Sequence, residues 1–274
     1  MKFKKAILSL GIASLIFSCA INPFTGEKTM AFVGNDQLFP SAFEQYSQVL
    51  TENKIITGTP DAKMITRVGQ RIAVAAERYL NANGYQGYLD DYEWEYSLIE
   101  SEQVNAWCMP GGKIAFYTGI LTIAANETGV AAIMGHEVAH ALANHGQQRM
   151  SAAYLQQGFA VAGNIALAND ENLGIYNQAF GIASSVGGML PFSRGHETEA
   201  DKIGIYLMAI AGYNPDEASL LWERMKANSG GEAPPEFMST HPSNDSRIQN
   251  LKSLVPNAKA EAKKFGVTSF RPIN

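Results

Sequence analysis

Met134-Gly135-His136-Glu137-Val138-Ala139-His140-Ala141 places two histidines four residues apart within a continuous helical pattern. Residues at that spacing share one face of an α-helix, so His136 and His140 can offer imidazole nitrogens to one metal ion. A catalytic zinc takes three protein ligands and leaves a fourth position for water. Glu137 lies about 100° around the same helix. There it stands beside the metal and can take a proton from the water that the metal activates.

The third ligand must come from elsewhere. Ala143 and Gly146 stand where the zincins with three histidines in one short motif carry Gly and a third His. His145, five residues past His140, would be rotated about 140° off the zinc face of an unbroken helix, which makes it a helix-end residue. The stretch Ser193-Arg194-Gly195-His196-Glu197-Thr198-Glu199-Ala200-Asp201 supplies candidates. Glu197 and Asp201 project to one side of a helix, so one can bind zinc while the other accepts a hydrogen bond from a ligand imidazole. Spacing alone does not choose among His196, Glu197 and Glu199.

The elements that must position these groups are mostly helical. Ile65, Val68, Ile72 and Tyr79 predict a helix over 61–81. Period-two alternation predicts a strand over 92–98. A second strand near 103–109 meets Pro110-Gly111-Gly112, a type II turn, and 113–117 returns as its hairpin partner. A small antiparallel sheet therefore precedes a metal-motif helix at about 127–150. The Ala-, Gly- and Leu-rich residues 151–192 read as buried helices, or alternatively as a mobile lid. Ser193 can cap a helix over 194–211, Asn214-Pro215 starts another that runs to about Asn228, and a last helix follows Pro242. The fold class is α+β: a mainly helical zincin domain over residues 41–274 with a small antiparallel sheet beside the metal helix.

Lys2, Lys4 and Lys5 followed by apolar Ala6–Phe17 and Ser18-Cys19 predict a signal peptide over 1–18, too short to span a bilayer. Ile16-Phe17-Ser18-Cys19 resembles a bacterial lipobox, which implies acylation of Cys19 and a lipid-anchored tether over 19–40. Ala20 after that cysteine resembles an outer-membrane retention signal. Cys108 is then left without a disulfide partner and reads as a small core residue. The net charge of −5 becomes −8 without the three signal-peptide lysines, and no basic patch suggests a nucleic-acid partner.

His136-Glu137-x-x-His140 followed by Glu197-x-x-Ala200-Asp201 resembles the membrane-associated zinc metallopeptidases that include HtpX and the CaaX prenyl endopeptidases. The resemblance implies one zinc held by His136, His140 and Glu197, with Glu137 as general base and Asp201 supporting a zinc histidine. It extends to Asn105-Ala106, Pro110-Gly111-Gly112 and Thr118-Gly119 ahead of the metal helix. Asn105 and Ala106 match a segment that borders the substrate cleft in relatives. His241-Pro242 and Arg247 match positions that face the activated water or the oxyanion. The lipobox and Asn22-Pro23-x-Thr25-Gly26 make the chain similar to the periplasmic lipoprotein branch, the BepA-like and LoiP-like proteases. Trp107 and Cys108 depart from the pattern, so the resemblance does not carry substrate preference.

The function expected from these residues is a gluzincin-type endopeptidase of the bacterial cell envelope. It would be an outer-membrane lipoprotein facing the periplasm and cleaving unfolded or misassembled envelope proteins, with the outer-membrane assembly machinery as a further partner. The alternative is a chaperone-like lipoprotein whose zinc site is silent or structural. A zinc hydrolase of a non-peptide amide fits the metal motif as well.

Overall fold

The computed structural model describes residues 19–168, 173–182, 190–228, 236–242 and 244–273. The expected signal peptide, 1–18, lies outside the described residues. The chain opens with a strand pair, β1 (Cys19–Ile21) against β2 (Lys28–Met30), and continues into α1 (Asn35–Glu52). The expected tether is thus partly built into the domain: Asn22 is buried, and Leu38 and Phe39 join the core. Then come β3 (Ile55–Ile56), α2 (Pro60–Ala82), β4 (Glu95–Ile99), β5 (Ala106–Met109) and β6 (Lys113–Tyr117). Thr59 caps α2, its hydroxyl accepting from Ala62 N–H at 3.2 Å, with Pro60 in the first turn where its missing N–H costs nothing.

The sheet order is β3-β4-β6-β5. The β5–β6 hairpin is present, closed by Gly112 N–H donating to Met109 C=O at 3.2 Å, with Gly111 at φ 83° as a type II turn requires. The expectation of a wholly antiparallel sheet is corrected, because β4 and β6 run parallel in register Glu95↔Lys113 to Ile99↔Tyr117. Strand alternation reports which face is buried and not which strand is the neighbour. The strand buried on both faces takes the centre: Ile114, Ala115 and Phe116 are fully buried on β6. That leaves β5 at an edge. Half-buried Cys108 packs against the core from it.

Helices follow the sheet: α3 (Thr118–Ala124), α4 (Glu127–Leu142), α5 (His145–Ala166), α6 (Leu173–Ile182), α7 (Leu190–Ile210), α8 (Asp216–Asn228), α9 (Glu236–Thr240) and α10 (Asp245–Lys264). Asn126 caps α4 through Gly129 N–H at 2.9 Å. Every α4 residue from Thr128 to Leu142 is buried, so this helix is the axis of the domain.

Three expectations change here. The metal-motif helix stops at Leu142, because Asn144 adopts a left-handed conformation at φ 57° and α5 starts in a new direction. Asn is among the few residues that tolerate this backbone. Tyr88 holds the break: its hydroxyl donates to Leu142 C=O and accepts from Asn144 Nδ2, both at 2.9 Å. Of the 151–192 stretch expected to be buried, Ser151 is buried but the described side chains beyond it are half-buried or exposed, with Phe159 61%, Ile165 73% and Ile175 66% exposed. Residues 169–172 and 183–189 lie outside the described residues. Ser193 lies inside α7, not at its cap. Among the described residues no helix is long and apolar enough to cross a membrane.

Candidate metal centre

α4 and α7 cross in backbone contact, and this crossing builds the site. A Cβ on Gly135 would stand 2.7 Å from Gly204 C=O, and one on Gly204 would stand 2.8 Å from His136 N. Two glycines face to face therefore let the carboxylates of α7 reach the histidines of α4.

Four side chains converge there, from His136 and His140 on α4, Glu197 on α7, and His241 just past α9. A tetrahedral ion with Zn–N bonds of 2.0–2.1 Å needs donor atoms about 3.3–3.4 Å apart. His136 Nε2 lies 3.1 Å from His140 Nε2, 3.4 Å from Glu197 Oε2 and 3.1 Å from His241 Nδ1. Glu197 Oε1 is 3.3 Å from His140 Nε2, and Glu197 Oε2 is 2.9 Å from His241 Nδ1. These lengths, measured to both Glu197 oxygens, lie near the edge length of such a tetrahedron, so nitrogen and carboxylate donors fit zinc in type and approximate spacing. Beside the three ligands expected from the sequence, His241 brings a fourth donor atom into the cluster.

Electrostatics agree with a cation site. Burial pushes the Glu197 carboxyl up, but hydrogen bonds from His136, His140 and His241 outweigh it and hold it far below the carboxylate range. Burial pulls His136 down, yet its bonds to Asp201 and Glu197 win, and it is raised to about 9. His140 is held well below its ordinary value by burial.

Asp201 and Arg247 stand behind His136. Asp201 Oδ1 is 3.0 Å from His136 Nδ1, and Arg247 donates to both Asp201 oxygens at 2.7 and 2.8 Å. Arg247 Nη1 is 3.1 Å from Glu197 Oε2, and its guanidinium centre sits 3.5 Å from the centroid of the Trp222 ring. The structure thus pairs Arg247 with Asp201 and Glu197, at the wall of the cleft that reaches the site. Asn244 caps α10 through Arg247 N–H at 2.8 Å, fixing the register that delivers this side chain. Burial pushes the Asp201 carboxyl up, but the Arg247 charge and the His136 bond bring it below its ordinary value.

Glu137 is buried, its Oε1 makes no hydrogen bond among the described residues, and His241 Nε2 is 3.5 Å from it. Burial raises its pKa above the usual carboxylate value, the direction a general base near neutral pH requires. A cleft of about 400 Å³ lined by Glu197, Asp201, Pro242 and Arg247 reaches the site from solvent.

Behind His140 stand His145, read from the sequence as a helix-end residue, and Glu199, one of the third-ligand candidates. His145 is fully buried, with Nδ1 2.8 Å from His140 Nδ1 and Nε2 2.8 Å from Glu199 Oε2. Asn22 Nδ2 donates to Glu199 Oε1 at 2.7 Å. The break at Asn144 turns His145 back under His140, which an unbroken helix could not do. Asn144 was the one signal available, a residue at home in left-handed backbone four positions after the motif. His196 stacks on His145 with ring centroids 4.0 Å apart and is 3.1 Å from Gln148 Oε1; burial holds it down at about 3. Of the three candidates left open by spacing, Glu197 alone joins the four-donor cluster.

Asn105 and Ala106 lie where β5 begins. Tyr117 N–H donates to Asn105 C=O at 3.1 Å, so the polar groups of Asn105 face β6 and those of Ala106, by alternation, face the sheet edge. Phe237 N–H of α9 donates to Val104 C=O at 3.2 Å next to that edge.

A fold in which an H-E-x-x-H helix meets a glutamate from a later helix defines a zincin-like metal site. Residues 62–255 match peptidase family M48, and the chain belongs to that family, whose members are zinc-dependent. It is 34% identical over 225 residues to mitochondrial metalloendopeptidase OMA1 of Schizosaccharomyces pombe, covering 80% of this chain and 61% of that protein. Identity to the mitochondrial metalloendopeptidase OMA1 of Homo sapiens is 26%, over 91% of this chain and 49% of the relative. The beta-barrel assembly-enhancing protease of Escherichia coli is 26% identical, over 58% of this chain and 34% of the relative. The chain therefore spans between about a third and three-fifths of the length of these relatives. The relatives matched over 80% and 91% of the chain carry mitochondrial names, which overturns the expected address of an outer-membrane lipoprotein facing the periplasm. A basic and apolar leader marks a chain for targeting, but its composition is too generic to name the membrane.

Proposed function

We propose that this chain is a zinc metalloendopeptidase acting on unfolded or misassembled proteins. The observation that carries the reading is the buried carboxylate of Glu137, without a hydrogen bond, beside four donors spaced for one zinc ion. His136, His140 and Glu197 would hold the metal. Bound there, zinc polarises a peptide carbonyl and lowers the pKa of water toward 7. Glu137 accepts the proton of the attacking water and returns it to the leaving amine. His241 would stabilise the oxyanion, where a lost donor costs about 10²–10³ in kcat. The Escherichia coli relative is named as a protease that enhances β-barrel assembly, which supports proteins undergoing assembly as the substrate class.

A second reading takes the four donors at face value, as a closed structural zinc in a chaperone-like protein. Two variants separate them. Glu137→Gln should keep one zinc per chain and stop cleavage of an unfolded protein substrate; cleavage at the wild-type rate would remove Glu137 from the mechanism. His241→Ala should retain zinc on three ligands with kcat lowered about 100-fold. Loss of the zinc from that variant would favour the structural reading.

Substrate would dock in extended form along β5, where alternation turns the N–H of Ala106 toward the sheet edge. Ala106→Pro removes that donor. KM should rise severalfold with zinc content unchanged, and wild-type kinetics in the folded variant would exclude this docking mode. Cys19 is the proposed acylation site that would tie the domain to a membrane; mass spectrometry of the mature chain without an acyl group there would reject it.

A further inference from the structure

The hydrogen bonds behind His140 have a polarity that can be read from the chain's N-terminal end toward the metal. Asn22 is 1% exposed, and its Oδ1 accepts from Phe24 N–H at 2.9 Å, so its other amide atom, Nδ2, is the donor to Glu199. Glu199, a carboxylate, can only accept. The second bond it receives, at 2.8 Å, must therefore come from an N–H at His145 Nε2. A neutral His145 with its proton on Nε2 presents a lone pair at Nδ1. The partner 2.8 Å away, His140 Nδ1, must then carry the proton. The lone pair of His140 is left on Nε2, the atom that faces Glu197 Oε1 and His136 Nε2.

We propose that His145 is the positioning residue of the zinc ligand His140, and that the N-terminal strap, through Asn22 and Glu199, is part of the metal site. The inference rests on the reading of His140 as a zinc ligand. The strap is well placed for the task. Residues 22–27 form a tight turn in which Asn22 N–H donates to Glu27 C=O at 2.9 Å and Gly26 N–H to Asn22 C=O at 2.8 Å. After β2 the strap is pinned again where Phe32 N–H donates to the Ser151 hydroxyl at 3.1 Å. Asn22 and Glu199 are 177 positions apart, so this contact joins the start of the described chain to the helix that supplies the third ligand. Partners that orient a ligand imidazole fix its tautomer and raise its basicity, and losing one typically costs about 10–100-fold in metal affinity.

The test is zinc affinity of the full chain by competition with a chelating dye, together with imidazole ¹⁵N spectra and the melting temperature of the metal-free protein. Glu199→Ala should weaken zinc binding by about 10–100-fold. Its spectra should show that His145 no longer holds its proton on Nε2, while the metal-free melting temperature stays close to wild type. Glu199→Gln should recover most of the affinity, because its amide oxygen still accepts from His145. Asn22→Ala should give the same change in smaller degree, and stands in if Glu199→Ala does not fold. A folded Glu199→Ala, or in its place Asn22→Ala, with wild-type zinc affinity and an unaltered spectrum overturns the inference. His140→Ala keeps the two failures apart: if it loses zinc while the Glu199 and Asn22 variants do not, only the positioning chain is wrong. If His140→Ala retains zinc at wild-type affinity, the ligand assignment itself fails.

Discussion

The two histidines of the metal helix sit one turn apart on the same face, yet they are held from behind by different chemistry. His136 is backed by an ion pair, Asp201 with Arg247, buried under Trp222. His140 is backed by a second imidazole and then by Glu199, whose side chain is 17% exposed. The first arrangement sets a formal charge directly against the ligand, and the second sets a neutral ring there with the charge one residue further away. A buried ion pair couples metal binding to the stability of the fold, because removing either partner leaves the other charge uncompensated. A relay that ends at a half-covered carboxylate can fail without unfolding the protein.

The comparison can be broken most sharply at Asp201. Asp201→Asn should destabilise the metal-free protein by about 3 kcal/mol, the lower end for a broken buried pair because Glu197 remains beside Arg247. It should also weaken zinc binding by about 10–100-fold. Denaturant unfolding and dye competition measure the two quantities. Glu199→Ala should lose zinc affinity alone, so equal destabilisation of both variants would erase the distinction between the two sides.

A smaller effect sharpens the same contrast through pH. In the metal-free protein burial pulls His136 down, but Asp201 and Glu197 raise it to about 9, so the ring is protonated at neutral pH and zinc must displace that proton. Burial holds His140 well below its ordinary value, and it has no proton to lose there. Zinc affinity should therefore rise by about tenfold per pH unit from 7 toward 9 and then level. Calorimetry in buffers of different ionisation enthalpy should register about one proton released per zinc at pH 7. Asp201→Asn should shift that dependence to lower pH by weakening the bond that raises His136. Glu199→Ala should leave it in place. A pH-independent affinity between 7 and 9 would contradict the assignment of the proton to His136.

Which groups could be read from the sequence follows from the range of the signal. His136, Glu137 and His140 declare themselves because a helix turns a four-residue spacing into a shared face. The resemblance of Glu197-x-x-Ala200-Asp201 to a known pattern singled out a glutamate that spacing alone could not separate from His196 and Glu199. The bidentate contact of Arg247 with Asp201 had no local signal, since the two are 46 residues apart in sequence. His145 was set aside by the geometry of an unbroken helix, and the helix breaks at Asn144. The apolar character of 151–192 was visible, but most of its described side chains beyond Ser151 are half-buried or exposed, because composition does not say whether a partner surface exists.

The sequence by itself determined a helical domain with a small sheet, the metal-binding face of α4 and the hairpin turn at Pro110-Gly111, all consequences of contacts within a few residues. Only the tertiary structure decided that β6 lies between β4 and β5, that Gly135 and Gly204 meet, and that His241 joins the donor cluster. It also decided that Asn22 stands behind the metal site. Each of these joins segments far apart along the chain. Such pairings depend on which buried surfaces fit one another, and no local pattern of residues encodes that fit.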